Sequence, residues 1–372
     1  MSRWFSLYLD LVRLLAASFV VYAHTNVRFL TPERLPLNEF AHSAVTVFFV
    51  LSGYVVAFVV DRRENSAPAY AASRAARILS LSVLAVLLTP ILDAIGRSAA
   101  PELYLKTIPS DFVLVRIGAS LAFLAEIWTI SIMTFSNVPY WSLNYEVWYY
   151  VLFGVYCFGN PSRRWIVIAI ICLLLGPKVV LMAPCWVVGV IAYRCGASVR
   201  LGPIGAAGLF IVSCAAFWGY HHFDLMRAFS DGVVMKYLGE WAYVQLNFSR
   251  YFAADWLLAA IIAVNFIAAS QLSSHLPELR ADSLKWVGFV GGLTYGLYIL
   301  HFPFVYMWGA VIQSPPPGVE KYLMVLALTL ICVGIVTAVG EWLRPRMRRR
   351  FESMLRSHTL GRWSARWVGK SA

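Results

Sequence analysis

Charge is what this sequence is short of. Only 13% of its 372 residues are Asp, Glu, Lys or Arg, whereas 60% are hydrophobic; soluble domains carry about 25% charged residues. That shortage excludes an ordinary soluble domain and implies an integral membrane protein. Cysteine is sparse and unpatterned. Cys157, Cys172, Cys185, Cys195, Cys214 and Cys332 sit in or beside apolar runs, with no C-x-x-C and no histidine at ligand spacing, so no metal site is expected and the thiols read as small core fillers. Period-2 alternation over ten-residue segments is missing as well, which disfavours an outer-membrane barrel. What remains is an all-α fold, a polytopic membrane helical bundle.

Apolar runs near 14–30, 43–60, 78–95, 141–158, 165–182, 183–193, 203–220, 254–272, 286–312 and 320–343 predict about ten crossings. All but 183–193 approach the 20 or so residues a span requires. The first run contains Asp10 and Arg13 and lacks a clear small-x-small cleavage site, so it is expected to be retained. With the N-terminus inside, inside segments hold 20 of the 31 Lys and Arg, including Arg62, Arg63, Arg74 and Arg77, and outside segments hold ten. That bias sets the orientation, with both termini cytoplasmic. A further apolar stretch, 112–133, would reverse the basic C-terminus if it crossed. With Arg116 and Glu126 in it, a re-entrant or surface-lying segment is expected instead. Residues 346–372 mix Arg with Met, Leu, Phe and Trp at loosely helical spacing, as an amphipathic tail on the membrane surface does, which leaves 1–345 as the membrane domain. Nucleic-acid binding is not expected, because no recognised fold accompanies the charge.

The stretch LDLVRLLAASFVVYAH at 9–24 puts Arg13 and His24 only ten apolar or small residues apart. Eleven positions at 100° return to within about 20° of one direction, roughly 16 Å along the axis, so the two share a face that Asp10 also approaches. Either this polar stripe faces the bundle interior, or Asp10 and Arg13 snorkel to the inner headgroups while His24 sits near the outer surface.

The Asp-x-x-Arg…His pattern of Asp10, Arg13 and His24 resembles the acyltransferase-3 family of membrane O-acyltransferases, and other motifs follow in that family's order. VFFVLSGYVVA at 47–57 is similar to its FF-x-LSG-F signature, with Tyr54 in place of Phe. SRAARIL at 73–79 carries its R-x-x-R as Arg74 and Arg77. WSLNYEVWYY at 141–150 resembles W-S-L-x-x-E through Trp141, Ser142, Leu143 and Glu146. LTYGLYILHFP at 293–303 resembles its late element, with Thr294 for Ser and Tyr298, His301 and Pro303 matching. Ser80 stands where the family often has Pro, and GEWLRP at 340–345 spreads out its terminal Glu-Arg-Pro, which leaves the role of Glu341 open.

The resemblance, which runs from about 8 to 345, implies the short form without an appended hydrolase domain, in the cell's inner membrane. It also implies an acyltransferase that moves an acyl group, usually acetyl, from cytoplasmic acyl-coenzyme A to a hydroxyl of an extracytoplasmic glycan or lipid-linked sugar. Acyl-CoA is then a donor substrate, with no permanently bound cofactor. Arg74 and Arg77 would hold the donor's phosphates, for which arginine forks suit. Arg62 and Arg63 lie in the same loop, and all four also serve as ordinary inside charges.

His24 would act as general base, neutral near pH 7, with Arg13, oriented by Asp10, or a neighbouring donor stabilising developing negative charge. Glu146, a carboxylate near the start of a span, either orients a histidine or substrate hydroxyl or makes a structural ion pair. Trp141 and Tyr298 are candidate substrate contacts, Trp141 alternatively an interface anchor. His301, two residues before Pro303, lies in a helix expected to be locally opened by the missing amide hydrogen bond; it is either a bundle histidine or part of the site. Between 221 and 253, aromatics alternate with Asp224, Asp231, Glu240 and Asn247 on the outer side, where Glu39 and His42 also fall, as candidates for acceptor contact. A covalent acyl-enzyme is less favoured, since there is neither a Ser-His-Asp order nor G-x-S-x-G. The competing reading is a transporter or flippase of a polysaccharide or lipid-linked sugar, because inward polar residues also line substrate paths.

Overall fold

The computed structural model describes residues 1–357 except 34, 39, 106 and 278–284, and for 285–291 the backbone alone. Glu39 and the tail beyond 357 therefore lie outside the described residues. The chain is a bundle of helices: α1 (Arg3–His24), α2 (Phe40–Arg62), α3 (Ala67–Ala99), two short helices α4 (Pro101–Tyr104) and α5 (Val113–Leu121), α6 (Trp141–Phe158), α7 (Arg164–Leu175), α8 (Pro177–Gly196), α9 (Pro203–His222), α10 (Leu225–Phe229), α11 (Lys236–Gln245), α12 (Phe252–Ser274), α13 (Lys285–Val311) and α14 (Val319–Ser357). Among the described residues seven helices are long and apolar enough to cross a membrane: α1, α2, α3, α8, α9, α14 and the 247–274 stretch that contains α12. This is a membrane protein.

Local chemistry sets the boundaries. Ser2 caps α1 by accepting from the Phe5 N–H, and Thr25 ends it, its hydroxyl bonding the Val21 and Tyr22 carbonyls. The first apolar run is thus a helix over 3–24 rather than 14–30, and Arg13 falls at its middle. Gly176, at φ +79°, and Pro177 separate α7 from α8. The break expected at 182–183 therefore lies six residues earlier, because a left-handed glycine followed by proline stops a helix, whereas Pro184 inside α8 is tolerated. The 112–133 stretch does not form a spanning helix. Its nine-residue α5 is about 13 Å long, too short to cross, and a two-residue hairpin follows, β1 (Glu126–Ile127) against β2 (Ile130–Ser131). Buried Lys178 pins that hairpin to α8, donating to Glu126, to the Ile130 carbonyl and to Ser131. Past the last apolar run, α14 runs without interruption through Pro345 to Ser357.

Helix ends sort into two sets. Ser2 meets Ser273, and Asp61 meets Tyr193, at one end; Thr25 meets Tyr322, and His42 meets Asp255, at the other. We call them the arginine end and the histidine end. In the bundle's middle α2 crosses α8 at glycine: a Cβ on Gly53 would stand 2.0 Å from the Trp186 carbonyl oxygen, and one on Gly189 2.0 Å from that of Val50. Small residues let helix backbones touch where lipid supplies no hydrophobic drive. The Gly53 contact also presses Trp186 against α2, where its indole N–H donates to Ser52.

Candidate active site

A narrow cavity of about 70 Å³ runs among α1, α2, α3, α6 and α13. Arg13, Arg74 and Arg77 line its arginine end, Glu146, Ser52 and Tyr150 its middle, and Ser142 and Tyr298 its far side. The stripe on α1 therefore faces the interior at Arg13, while Leu11 and Leu15 on the same helix are exposed. Asp10 holds Arg13 at 2.7 Å. Arg74 is fixed by Glu64, a buried carboxylate in the α2–α3 turn, at 3.0 Å, and packs over the rings of Tyr70 and Tyr150; guanidinium on aromatic faces adds cation–π attraction. Arg77 lies over Tyr295 and near enough to Arg13 and Arg344 for their charges to interact. Three cations on α1 and α3 thus converge at one end of one cavity, with Arg344 of α14, held by Glu341 at 3.1 Å, close behind them. Arg62 and Arg63 are exposed and outside it.

In the middle, Glu146 accepts from Ser52 at 2.6 Å and from Tyr150 on the same oxygen. Both of these partners are hydroxyls of the protein itself, rather than the histidine, substrate hydroxyl or ion-pair cation that the sequence suggested. Across the cavity Tyr298 and Ser142 share a hydrogen bond of 2.6 Å.

One turn beyond Tyr298 on α13 stands His301, fully buried, and its Nε2 meets His24 Nδ1 at 2.8 Å. The proton positions follow from the carbonyl at the end of this chain. His301 Nδ1 faces the Leu297 oxygen at 2.8 Å, which only accepts, so Nδ1 carries the hydrogen. With both rings neutral, His301 Nε2 accepts from His24 Nδ1–H, and the basic lone pair is left on His24 Nε2. Neither imidazole lines the arginine-end cavity. On a rigid helix Arg13 is about 16 Å from His24 along the axis, so the structure groups Arg13 with the other cations and not with the imidazoles.

Pro303 does open the helix as expected. Without a proline N–H, the Ile299 carbonyl has no partner four residues on, and Asn137 Nδ2 donates to it at 2.8 Å.

Residues 6–340 match the family model Acyl_transf_3, an acyltransferase domain. The chain belongs to this acyltransferase-3 family. No curated protein and no solved structure gave a significant match. As a family member it is a membrane acyltransferase, and the matched span contains every residue of the cavity and every motif set out above except GEWLRP, of which it reaches only Gly340.

The structure sets some predicted residues elsewhere and adds others. Trp141 is buried, stacked on Phe248 at 4.5 Å, and lines a separate pocket at the histidine end rather than the cavity of its neighbour Ser142. His42 pairs with Asp255, a wholly buried carboxylate that also accepts from Thr46. Of the 221–253 residues, Asn247 reaches that separate pocket, whereas Asp224 pairs with Arg227 and Asp231 with Tyr243 at the surface. Sequence reasoning missed Glu64, Ser52 as a partner of Glu146, Arg344, Asp255 and Asn137. Only Ser52 carried a signal, from its place in the LSG motif.

Proposed function

We propose that this acyltransferase takes its acyl group, acetyl in the simplest case, from acyl-CoA bound at the arginine end and gives it to a hydroxyl of a glycan or lipid-linked sugar arriving at the histidine end. The observation that carries the reading is the placement of cations and imidazoles at opposite ends of the bundle, with Tyr298 of the arginine-end cavity and His301 one turn apart on α13. Arg13, Arg74, Arg77 and Arg344 offer the guanidinium forks that pyrophosphate and ribose phosphate require. The pantetheine arm and thioester extend along the cavity past Glu146 toward Ser142 and Tyr298, whose hydroxyls donate to the carbonyl oxygen as it gains charge.

His24 Nε2 removes the proton from the acceptor hydroxyl, and that oxygen bonds to the thioester carbon. The C–S bond breaks and CoA leaves as a thiolate that takes up a proton. His301 steadies His24 through its tautomer and orientation. Arg13, placed in sequence beside the base, is assigned here to the donor. This reading puts the arginine end and both termini in the cytoplasm of a cell whose inner membrane holds the protein, in agreement with the lysine and arginine bias.

Membranes from matched cells with wild-type, deleted or His24→Ala protein provide the test. Acetyl-CoA should release CoA with wild type alone, and mass spectrometry should find an acyl increment on surface glycans with wild type alone. Glycans that keep their acyl groups but change in amount or length on deletion would instead establish a transporter.

A further inference from the structure

The second pocket at the histidine end, of about 170 Å³, is lined among others by Glu126, Thr134, Asn137, Trp141, Asn247 and Phe248. It is separated from the donor cavity only by the first turn of α6: Trp141 and Asn144 face this pocket, while Ser142 and Leu143 face the other. Two features set it apart from a packing void. Its polar lining is almost all amide, hydroxyl and carboxylate, beside an apolar wall of stacked Trp141 and Phe248. And Asn137, 1% exposed, spends its Nδ2 on the Ile299 carbonyl while its Oδ1 has no hydrogen-bond partner. A buried carbonyl oxygen without a donor is costly unless a ligand supplies one.

The anchoring is elaborate for a loop. Asp93 on α3 holds Ser136 through both backbone N–H and hydroxyl, Pro303 frees the carbonyl that Asn137 grips, and Asn247 sits in the left-handed region at φ +51° with its amide on Ser131. The first two fix Asn137, through its neighbour Ser136 and through Ile299, two residues before His301 on α13, and the third fixes Asn247 at the pocket.

We propose that this pocket binds one neutral hexopyranose ring of the acceptor, with a sugar hydroxyl donating to Asn137 Oδ1 and the ring's C–H face against Trp141 and Phe248. Room for a single ring makes the site a selector of the residue to be acylated rather than a cradle for the polymer. The inference rests on the acyl-acceptor reading above but is tested by binding and not by turnover.

Saturation-transfer NMR on the full chain in nanodiscs, with a panel of methyl hexopyranosides as probes, measures it directly. At least one glycoside should give saturation transfer with wild type. That signal should fall at least fivefold in Asn247→Ala and in Asn137→Leu, which removes the acceptor oxygen, and survive in Phe248→Trp, which keeps an aromatic wall; thermal unfolding of each variant checks the fold. If no glycoside binds, or if binding is the same in folded Asn247→Ala and Asn137→Leu, the pocket is not a sugar site. That failure would leave CoA release by wild type untouched, whereas a chain that binds the sugar but releases no CoA from acetyl-CoA would retain the pocket and lose the transferase reading.

Discussion

The two ends of the bundle are built on different chemistry. At the arginine end permanent charges meet: four guanidiniums, three of them held by the carboxylates Asp10, Glu64 and Glu341, form a fixed field suited to an anion. At the histidine end two imidazoles stand in series on a backbone carbonyl, and beyond them lie amides, hydroxyls and the Glu126 carboxylate that Lys178 holds. Where charge is permanent, specificity is for charge. Where protons can be exchanged, reaction becomes possible. Separating them lets the donor be gripped without an arginine occupying the proton-accepting lone pair with a hydrogen bond.

The sharpest way to break this contrast is to remove the base. His24→Ala should lower acyl transfer about 10²- to 10⁴-fold, the usual worth of a positioned general base, while leaving the donor KM unchanged; labelled acetyl transfer from acetyl-CoA reads both. Arg77→Ala should do the reverse, raising the donor KM about 10- to 150-fold with kcat little altered, since a hydrogen bond to a charged group contributes about 1.5–3 kcal/mol. If Arg77→Ala lowered kcat alone, the division of labour between the ends would fail.

His301 sharpens the comparison because it acts through His24. His301→Ala strands the His24 Nδ1–H at a cost of about 1–3 kcal/mol, so kcat should drop about tenfold or more. His301→Gln, which can accept from His24 and donate to Leu297, should recover part of that loss; no recovery would mean that His301 is only packing.

Gly53→Ala tests the scaffold shared by both ends. A methyl 2.0 Å from the Trp186 carbonyl must move α2 off α8, costing about 1–3 kcal/mol as overpacking does, visible as a lower unfolding temperature in nanodiscs. The smallest effect belongs to Asp111, on the histidine-end loops, whose carboxyl Arg116 holds below the ordinary range through a 2.6 Å hydrogen bond. A depressed carboxyl stabilises above its unfolded pKa of about 3.9 and loses that contribution as pH falls through the lower folded value. Wild type and Asp111→Asn should therefore differ slightly in stability at neutral pH and converge in acid, with transfer activity the same throughout.

Membrane embedding, helical class, polar stripe and family were all legible in the chain, because each is a property of local composition and spacing. A long apolar run has few ways to satisfy its backbone in lipid, and residues eleven apart on a helix share a face whatever surrounds them. Proline after a glycine marks a helix break just as locally, although the α7–α8 break was expected six residues too late because the apolar run hid Gly176. What the sequence could not contain was partnership. Glu64 reaches Arg74, Asn137 reaches Ile299, and His24 reaches His301 across 277 positions; only packing decides which turns of which helices meet. The direction of the His24 lone pair depends on a carbonyl of a different helix, and the separation of Trp141 from Ser142, adjacent in the chain, on which side of one helical turn each presents. Local pattern determined what kind of molecule this is, and tertiary contact decided which atoms stand ready to react.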